Sequence, residues 1–208
     1  MAQLSGRRAQ AARNDELILS AARAVFMADP SAPIAAVAER ARVGISALYR
    51  RYPSKEELLR TLCGGGLRQY NAIAEAALAG DDPGQALAVF MRGVVEADVH
   101  SLTLALAGTF TPTEELRAEA QRSGELNARL LARAREAGAV RDDVELGDVT
   151  MVFEQVAAIR FGDEERTAQL RRRALALHLD GLRAEPAEPL PGPPATSDEL
   201  RARWYVAT

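Results

Sequence analysis

Apolar residues recur three and four positions apart through almost all of residues 10–183, and no stretch alternates as a half-buried strand would. The chain therefore reads as all-α. A first helix is predicted over Ala11–Ala28, with Leu17/Ile18, Ala21/Ala22 and Val25/Phe26 on one side, broken by Asp29-Pro30. Pro33, whose missing N–H costs nothing at a first helical position, opens a second helix, Ile34–Ala41. After Arg42-Val43-Gly44, where Gly44 supplies the freedom of a tight turn, a third helix runs from Ile45 to about Tyr52 and stops at Pro53. Ile45, Leu48 and Tyr52 share its inner face, so Ser46, Ala47, Tyr49, Arg50 and Arg51 point elsewhere.

Ser54-Lys55-Glu56-Glu57 has the form of a reciprocal capping box and starts a long fourth helix reaching Ala79. Gly64-Gly65-Gly66 in its middle predicts a kink, a weak turn or a close helix crossing. Asp81-Asp82-Pro83-Gly84 then punctuates a fifth helix whose inner stripe is Leu87, Phe90/Met91, Val94 and Asp98. A short helix within Ser101–Phe110 follows, and Thr111 caps the next, with Pro112 at its first position and Glu114 at its third and a break expected at Ser123-Gly124. Two final long helices span Leu146–Phe161 and about Asp163–Arg183, and their wide apolar faces suit a four-helix dimer bundle. The remainder is Pro-rich, with a short helix from Thr196 toward Trp204, whose indole is expected to dock on the body. In all, about nine helices fall into three regions: 1–53, 54–183 and a tail at 184–208.

Charge changes the picture more than total composition does. The formal net charge is −3, yet residues 1–60 carry ten Lys/Arg against six Asp/Glu, a local +4, and the rest is −7. The basic end is the candidate polyanion contact, with a merely solvated basic face as the alternative. Arg7, Arg8 and Arg13 make either a minor-groove arm or a basic leader. No apolar run approaches the roughly 20 residues of a membrane span and the N-terminus lacks a signal peptide's apolar core, so a cytoplasmic protein is expected.

Catalytic chemistry finds little support. Cys63 sits alone among apolar helical positions and reads as a buried structural thiol. His100 and His178 have no Cys or His at metal spacing and read as hydrogen-bonded or exposed, so neither a metal nor a cofactor is expected. No phosphate loop or nucleophile elbow is present in the sequence, and the expectation is a non-enzyme.

The first three helices match the helix-turn-helix plan, in which the third enters the major groove. Arg50 and Arg51 then face phosphates or guanine edges, and the Tyr49 hydroxyl faces a phosphate. Lys55, at the start of the fourth helix, adds its charge to the helix dipole at a phosphate site.

The runs Asn14–Leu19, Val37–Val43 and Leu48-Tyr49-Arg50-Arg51-Tyr52-Pro53-Ser54-Lys55-Glu56-Glu57-Leu58-Leu59 resemble the DNA-binding domain of the tetracycline-repressor (TetR) family. The resemblance covers about 50 of the 208 residues. It implies a homodimer on a palindromic operator, usually a repressor, with variable C-terminal helices that dimerise and enclose a small-molecule effector. It also implies phosphate contacts for Tyr49 and Lys55 and a reading face of Ser46, Ala47, Arg50 and Arg51. Three departures stand out: Arg42 occupies a turn position usually held by glycine, Ala47 replaces a common threonine, and Asp29-Pro30 replaces the glycine ending the first helix. Arg42 itself becomes a candidate phosphate contact.

Candidates for an effector pocket are Phe90, Met91, Val94, Asp98, Phe110, Met151 and Phe153, which mix apolar bulk with an occasional polar group. Ordinary core packing is the competing reading for most of them. A protein of the same fold that binds ligands or partners without gripping DNA is the alternative function, and a helical enzyme is a third.

Overall fold

The computed structural model describes residues 2–184 and 188–202, with side chains from Arg13 onward. In chain order the helices are α1 (Ala2–Ala28), α2 (Ile34–Ala41), α3 (Ile45–Arg51), α4 (Lys55–Leu78) and α5 (Ala86–Ala97). They continue as α6 (Val99–Ala105), α7 (Glu114–Glu136), α8 (Leu146–Ala158), α9 (Glu164–Gly181) and α10 (Ser197–Ala202). No strand occurs among the described residues, and none of their helices is long and apolar enough to cross a membrane.

Local chemistry sets most boundaries. Ser54, Thr113 and Asp163 each accept an amide hydrogen from three residues on, at 3.1, 3.3 and 2.8 Å, which starts α4, α7 and α9, so the α7 cap lies two residues after the expected Thr111. Glu145 and Asp148 form the reciprocal box that opens α8. At α4 the expected box is only half made, because the Glu57 carboxylate leans 3.8 Å from Arg60 instead.

The α2–α3 turn differs from expectation. Arg42, not Gly44, takes the left-handed conformation, with φ 54° and ψ 40°, while Gly44 is extended at φ −65°. The Val43 amide reaches back to the Ala38 carbonyl at 3.0 Å, so the left-handed residue serves as the helix stop that glycine usually provides. Ile45 also departs from its predicted inner place and is 41% exposed.

Two apolar clusters organise the chain. The first joins Ile18, Ala22 and Phe26 of α1 to Val37, Leu48, Tyr52, Leu58, Leu59 and Cys63, and also takes Leu102, Leu106 and Phe110 from the α6 region. The second packs Ala74 and Ala77 of α4 with α5, α7, α8 and the Leu175 side of α9. Helix α4, about 36 Å long at 1.5 Å per residue, runs through both. Its three glycines do not interrupt it. A Cβ on Gly66 would stand 3.4 Å from the Val99 carbonyl, so the run serves a close crossing with α6.

Likewise α7 is unbroken at Ser123-Gly124. There the Ser123 hydroxyl donates to Asn71 Oδ1 at 2.7 Å and Asn71 Nδ2 donates to Glu119 at 2.8 Å, a buried polar seam between α4 and α7. Helix α1 starts nine residues earlier than its apolar stripe suggests. The expected docking of Trp204 falls outside the described residues, as do the side chains of Arg7 and Arg8.

Candidate nucleic-acid interface and sensing core

Helix α3 is anchored by one fully buried residue, Leu48, with Tyr52 closing its end at 2% exposure. That anchorage turns Ser46, Tyr49, Arg50 and Arg51 outward, with Tyr49 46% exposed, and leaves Ala47 half-buried. Arg42 stands exposed at the turn before the helix.

The two neighbouring arginines are used differently. Arg51 lies against Asp15 of α1, Nε to Oδ1 at 2.8 Å and Nη2 to Oδ2 at 2.7 Å, and the Tyr52 hydroxyl donates to the same carboxylate at 2.7 Å. The Arg51 hydrogen bond, followed by that of Tyr52, holds the Asp15 carboxyl below its ordinary range despite partial burial. Among the described residues Arg50 makes no such ion pair, and it is exposed.

Lys55 has a second employment. Its ammonium donates to the Pro30 and Ala32 carbonyls at 2.9 and 2.8 Å and lies 5.1 Å from the Phe26 ring centroid. Two of three donors thus tie the α1–α2 loop to the start of α4, and one remains for an outside acceptor.

The effector candidates do not assemble as one cavity. Phe90, Met91, Val94 and Phe153 pack together in the second cluster, all at 5% exposure or less. Edge-to-face contacts join Tyr70 to Phe90 at 5.1 Å and Phe90 to Phe153 at 5.9 Å. Met151 is half-buried beside them in sequence. Phe110 belongs to the other cluster, because the chain after α6 turns back toward α1. Asp98 is engaged in the structure by two arginines. It takes a left-handed conformation between α5 and α6, φ 48°, and its carboxylate binds Arg23 of α1 and Arg171 of α9, each at 2.8 Å.

Sequence reasoning missed this bridge. Arg171 is 6% exposed and also donates to the Ile159 and Ala157 carbonyls at the end of α8, at 3.1 and 3.0 Å. Arg160 donates to the Met27 carbonyl at 2.9 Å, a further tie to α1. No local pattern announces contacts made across more than 70 residues.

His100 also departs from its reading as a hydrogen-bonded or exposed residue. It is 6% exposed and packs on Phe153 at 5.4 Å; among the described residues neither ring nitrogen has a partner of full hydrogen-bond geometry, and the Val94 carbonyl lies near enough to favour its protonated form. Burial pushes its pKa down to about 4, with Asp98 opposing that shift and Arg171 assisting it. Cys63 is buried, and burial pushes its thiol up to about 12, leaving it unreactive at neutral pH. No group of His, Cys, Asp and Glu able to hold a metal occurs among the described residues.

Comparison with known proteins agrees with this arrangement. Residues 18–62 match the family model for bacterial regulatory proteins of the tetR family. Residues 82–184 match the SbtR-like transcriptional regulator C-terminal domain. A TetR transcription regulatory protein from Mycobacterium vanbaalenii is 29% identical, with a TM-score of 0.57 over 85% of this chain and 99% of that one. SCO0520 from Streptomyces coelicolor is 25% identical, with a TM-score of 0.57 over 82% and 99%. LfrR from Mycobacterium smegmatis, solved in complex with proflavine, shares the fold at 21% identity, with a TM-score of 0.52 over 80% and 96%. The comparison with curated proteins gives no match. Two family models over separate parts of the chain, an all-helical fold and an outward third helix lead to one conclusion: the chain belongs to the TetR family of DNA-binding transcription regulators.

Proposed function

We propose that the protein is a homodimeric, cytoplasmic repressor that leaves a palindromic operator when a small molecule binds its C-terminal helices. The observation that carries this reading is the α3 surface, where Ser46, Tyr49 and Arg50 all face outward around a single buried anchor, Leu48. In the proposed complex Arg50 reads a base edge, and Tyr49, Arg42 and the remaining donor of Lys55 meet phosphates. Ala47 offers a methyl to a thymine in place of a hydroxyl, and Arg51 fixes the helix against α1.

In this division of labour residues 1–53 read DNA, residues 54–183 sense and dimerise, and 184–208 form a tail. Dimerisation through α8 and α9 is supported by what α9 leaves uncovered. Only Arg171 and Leu175 of its eighteen residues are buried, while Leu177 is 67% and nearby Phe161 65% exposed. Two copies so joined would carry their α3 helices to adjacent major grooves, about 34–36 Å apart. Effector binding to the aromatic core around Phe90 and Phe153 is supported by the Arg23–Asp98–Arg171 bridge, which ties that core to α1, and by proflavine in the similarly folded LfrR.

The test is selection of source-genome fragments by the full chain at low salt, followed by a screen of metabolites for release. Retention of discrete fragments and their release by one compound class would support the reading. Failure to retain any fragment would favour the second reading, a ligand-binding protein of this fold without operator grip. The internal engagement of Arg51 and Lys55 is the observation on that side.

A further inference from the structure

The segment after residue 187 is strapped to the body. Buried Arg141 holds Asp143 through Nε and Nη2 at 2.6 and 2.8 Å, and Nη2 also donates to the Glu188 carbonyl at 2.7 Å. Asp143 in turn accepts the Leu190 amide at 2.8 Å. Farther along, the Ala195 backbone crosses α8 at Gly147, where any Cβ would run into the Ala195 carbonyl. Glycine is a poor helix former, so its place in the first turn of α8 is explained by the passage of the strap. Helix α10 then sets Leu200 over a groove of about 340 Å³ between α6 and α8.

Beneath that groove lies an unusual deficit. Buried polar atoms are nearly always paired. Yet His100 and Ser101 supply three of the four buried side-chain nitrogen and oxygen atoms without a partner among the described residues. Ser101 is 2% exposed and lines the groove, and His100, the residue before it in α6, is buried against Phe153. Leu104 and Ala157 provide apolar walls. The lining has one acid and one base, Glu154 and Arg160, so it favours neither sign of charge. The Thr150 hydroxyl already donates to the Leu146 carbonyl and is left as an acceptor.

We propose that this strapped groove is the way in and the outer half of the effector site, and that it admits an uncharged, mainly apolar molecule carrying a carbonyl or hydroxyl. The guest's oxygen pairs with Ser101 and its body runs along Leu104 and Ala157 toward His100 and Phe153. The inference rests on the effector-release reading and specifies its site. It also supplies a route to the reading head. Arg160 lines the groove and donates to the Met27 carbonyl in the last turn of α1, so a guest that lifts Leu200 and displaces Arg160 loosens a hold on α1.

The full chain, free of DNA, is titrated with Nile red, an uncharged dye with a ring carbonyl, and with anilinonaphthalene sulfonate, an anion. Saturable, blue-shifted Nile red binding at one site per chain is expected, with the anion weaker. Ala158→Phe, at the exposed groove rim, and Ser101→Ala should each weaken it about tenfold or more. Gly147→Leu and, independently, Leu200→Ser should free the strap, speeding dye association and hydrogen exchange across 188–202. Far-ultraviolet circular dichroism and operator retention check the fold of each variant. Absent binding, indifference to Ala158→Phe and Ser101→Ala, or equal binding of the anion would overturn the site. Groove binding by a compound that never releases DNA would leave the site standing and overturn the release reading. Release by compounds indifferent to all four variants would do the reverse.

Discussion

Arg51 of α3 and Asp15 of α1 meet in a two-point ion pair, 2.8 and 2.7 Å, that sets the angle at which the third helix leaves the body. Tyr52 adds its hydroxyl to the same carboxylate. Sequence order makes Arg50 and Arg51 look equivalent, and the structure separates them into an outward cation and a brace.

That separation predicts different consequences for the two substitutions. Arg50→Ala should cost about 1–3 kcal/mol of operator affinity and relax preference at one base pair, with the melting temperature unchanged. Arg51→Ala should lower the stability of the N-terminal cluster by about 1 kcal/mol, a modest value because Arg51 is well exposed. Binding-site selection and thermal melts of both variants read these outcomes.

The brace also gives acid sensitivity. Asp15 is held below its ordinary pKa, so its stabilising effect is complete above the unfolded value near 4 and is lost as pH falls through the lower folded value. Asp15→Asn should therefore lower the melting temperature at pH 7, with the difference from the parent shrinking below pH 4.

Lys55→Met keeps the aliphatic stem but leaves the Pro30 and Ala32 carbonyls unmatched. A loss of about 1–3 kcal/mol in stability is expected, together with a salt dependence of operator binding flatter by about one phosphate. Denaturant unfolding and binding at several salt concentrations measure the two parts. An unchanged salt slope would remove Lys55 from the phosphate contacts.

His100 works in the same direction as Asp15 but in a higher pH window. Buried near Asp98, Arg171 and Arg23, it resists protonation until about pH 4, whereas the unfolded chain takes the proton near 6.5. Between those values the unfolded state binds more protons, so stability falls with falling pH, by about 3 kcal/mol at most from this group. His100→Phe should flatten the fall in melting temperature between pH 7 and pH 5.

Much of this architecture is legible in the sequence, for identifiable reasons. The boundaries of α2 and α3 follow from Pro33 and Pro53, and that of α4 from Ser54, since backbone chemistry at these positions leaves little choice. The start of α1 is not legible, because residues 2–10 suit a helix without an apolar stripe. The Gly64–Gly66 run is legible only as three alternatives, of which the α6 crossing selects the close helix contact. Phe110 and Asp98 read as candidates for one pocket, yet one packs beside α1 and the other is claimed by two distant arginines. Tertiary partners decide such positions, and no local period encodes them.

The exposed face of α9 yields a test of assembly. If α9 forms the proposed dimer contact, Leu177→Arg should convert dimer to monomer in sedimentation, since a charge would face its copy across an isologous contact. Operator affinity should then fall steeply, while each chain remains helical.

The central claim, that α3 enters the major groove once from each protomer, is tested most directly by a hydroxyl-radical footprint of the full chain on a selected genomic fragment. Two protected patches on one face of the duplex, one helical turn apart and both weakened by Arg50→Ala, are the predicted result. A single patch, or protection unaffected by Arg50→Ala, would contradict it.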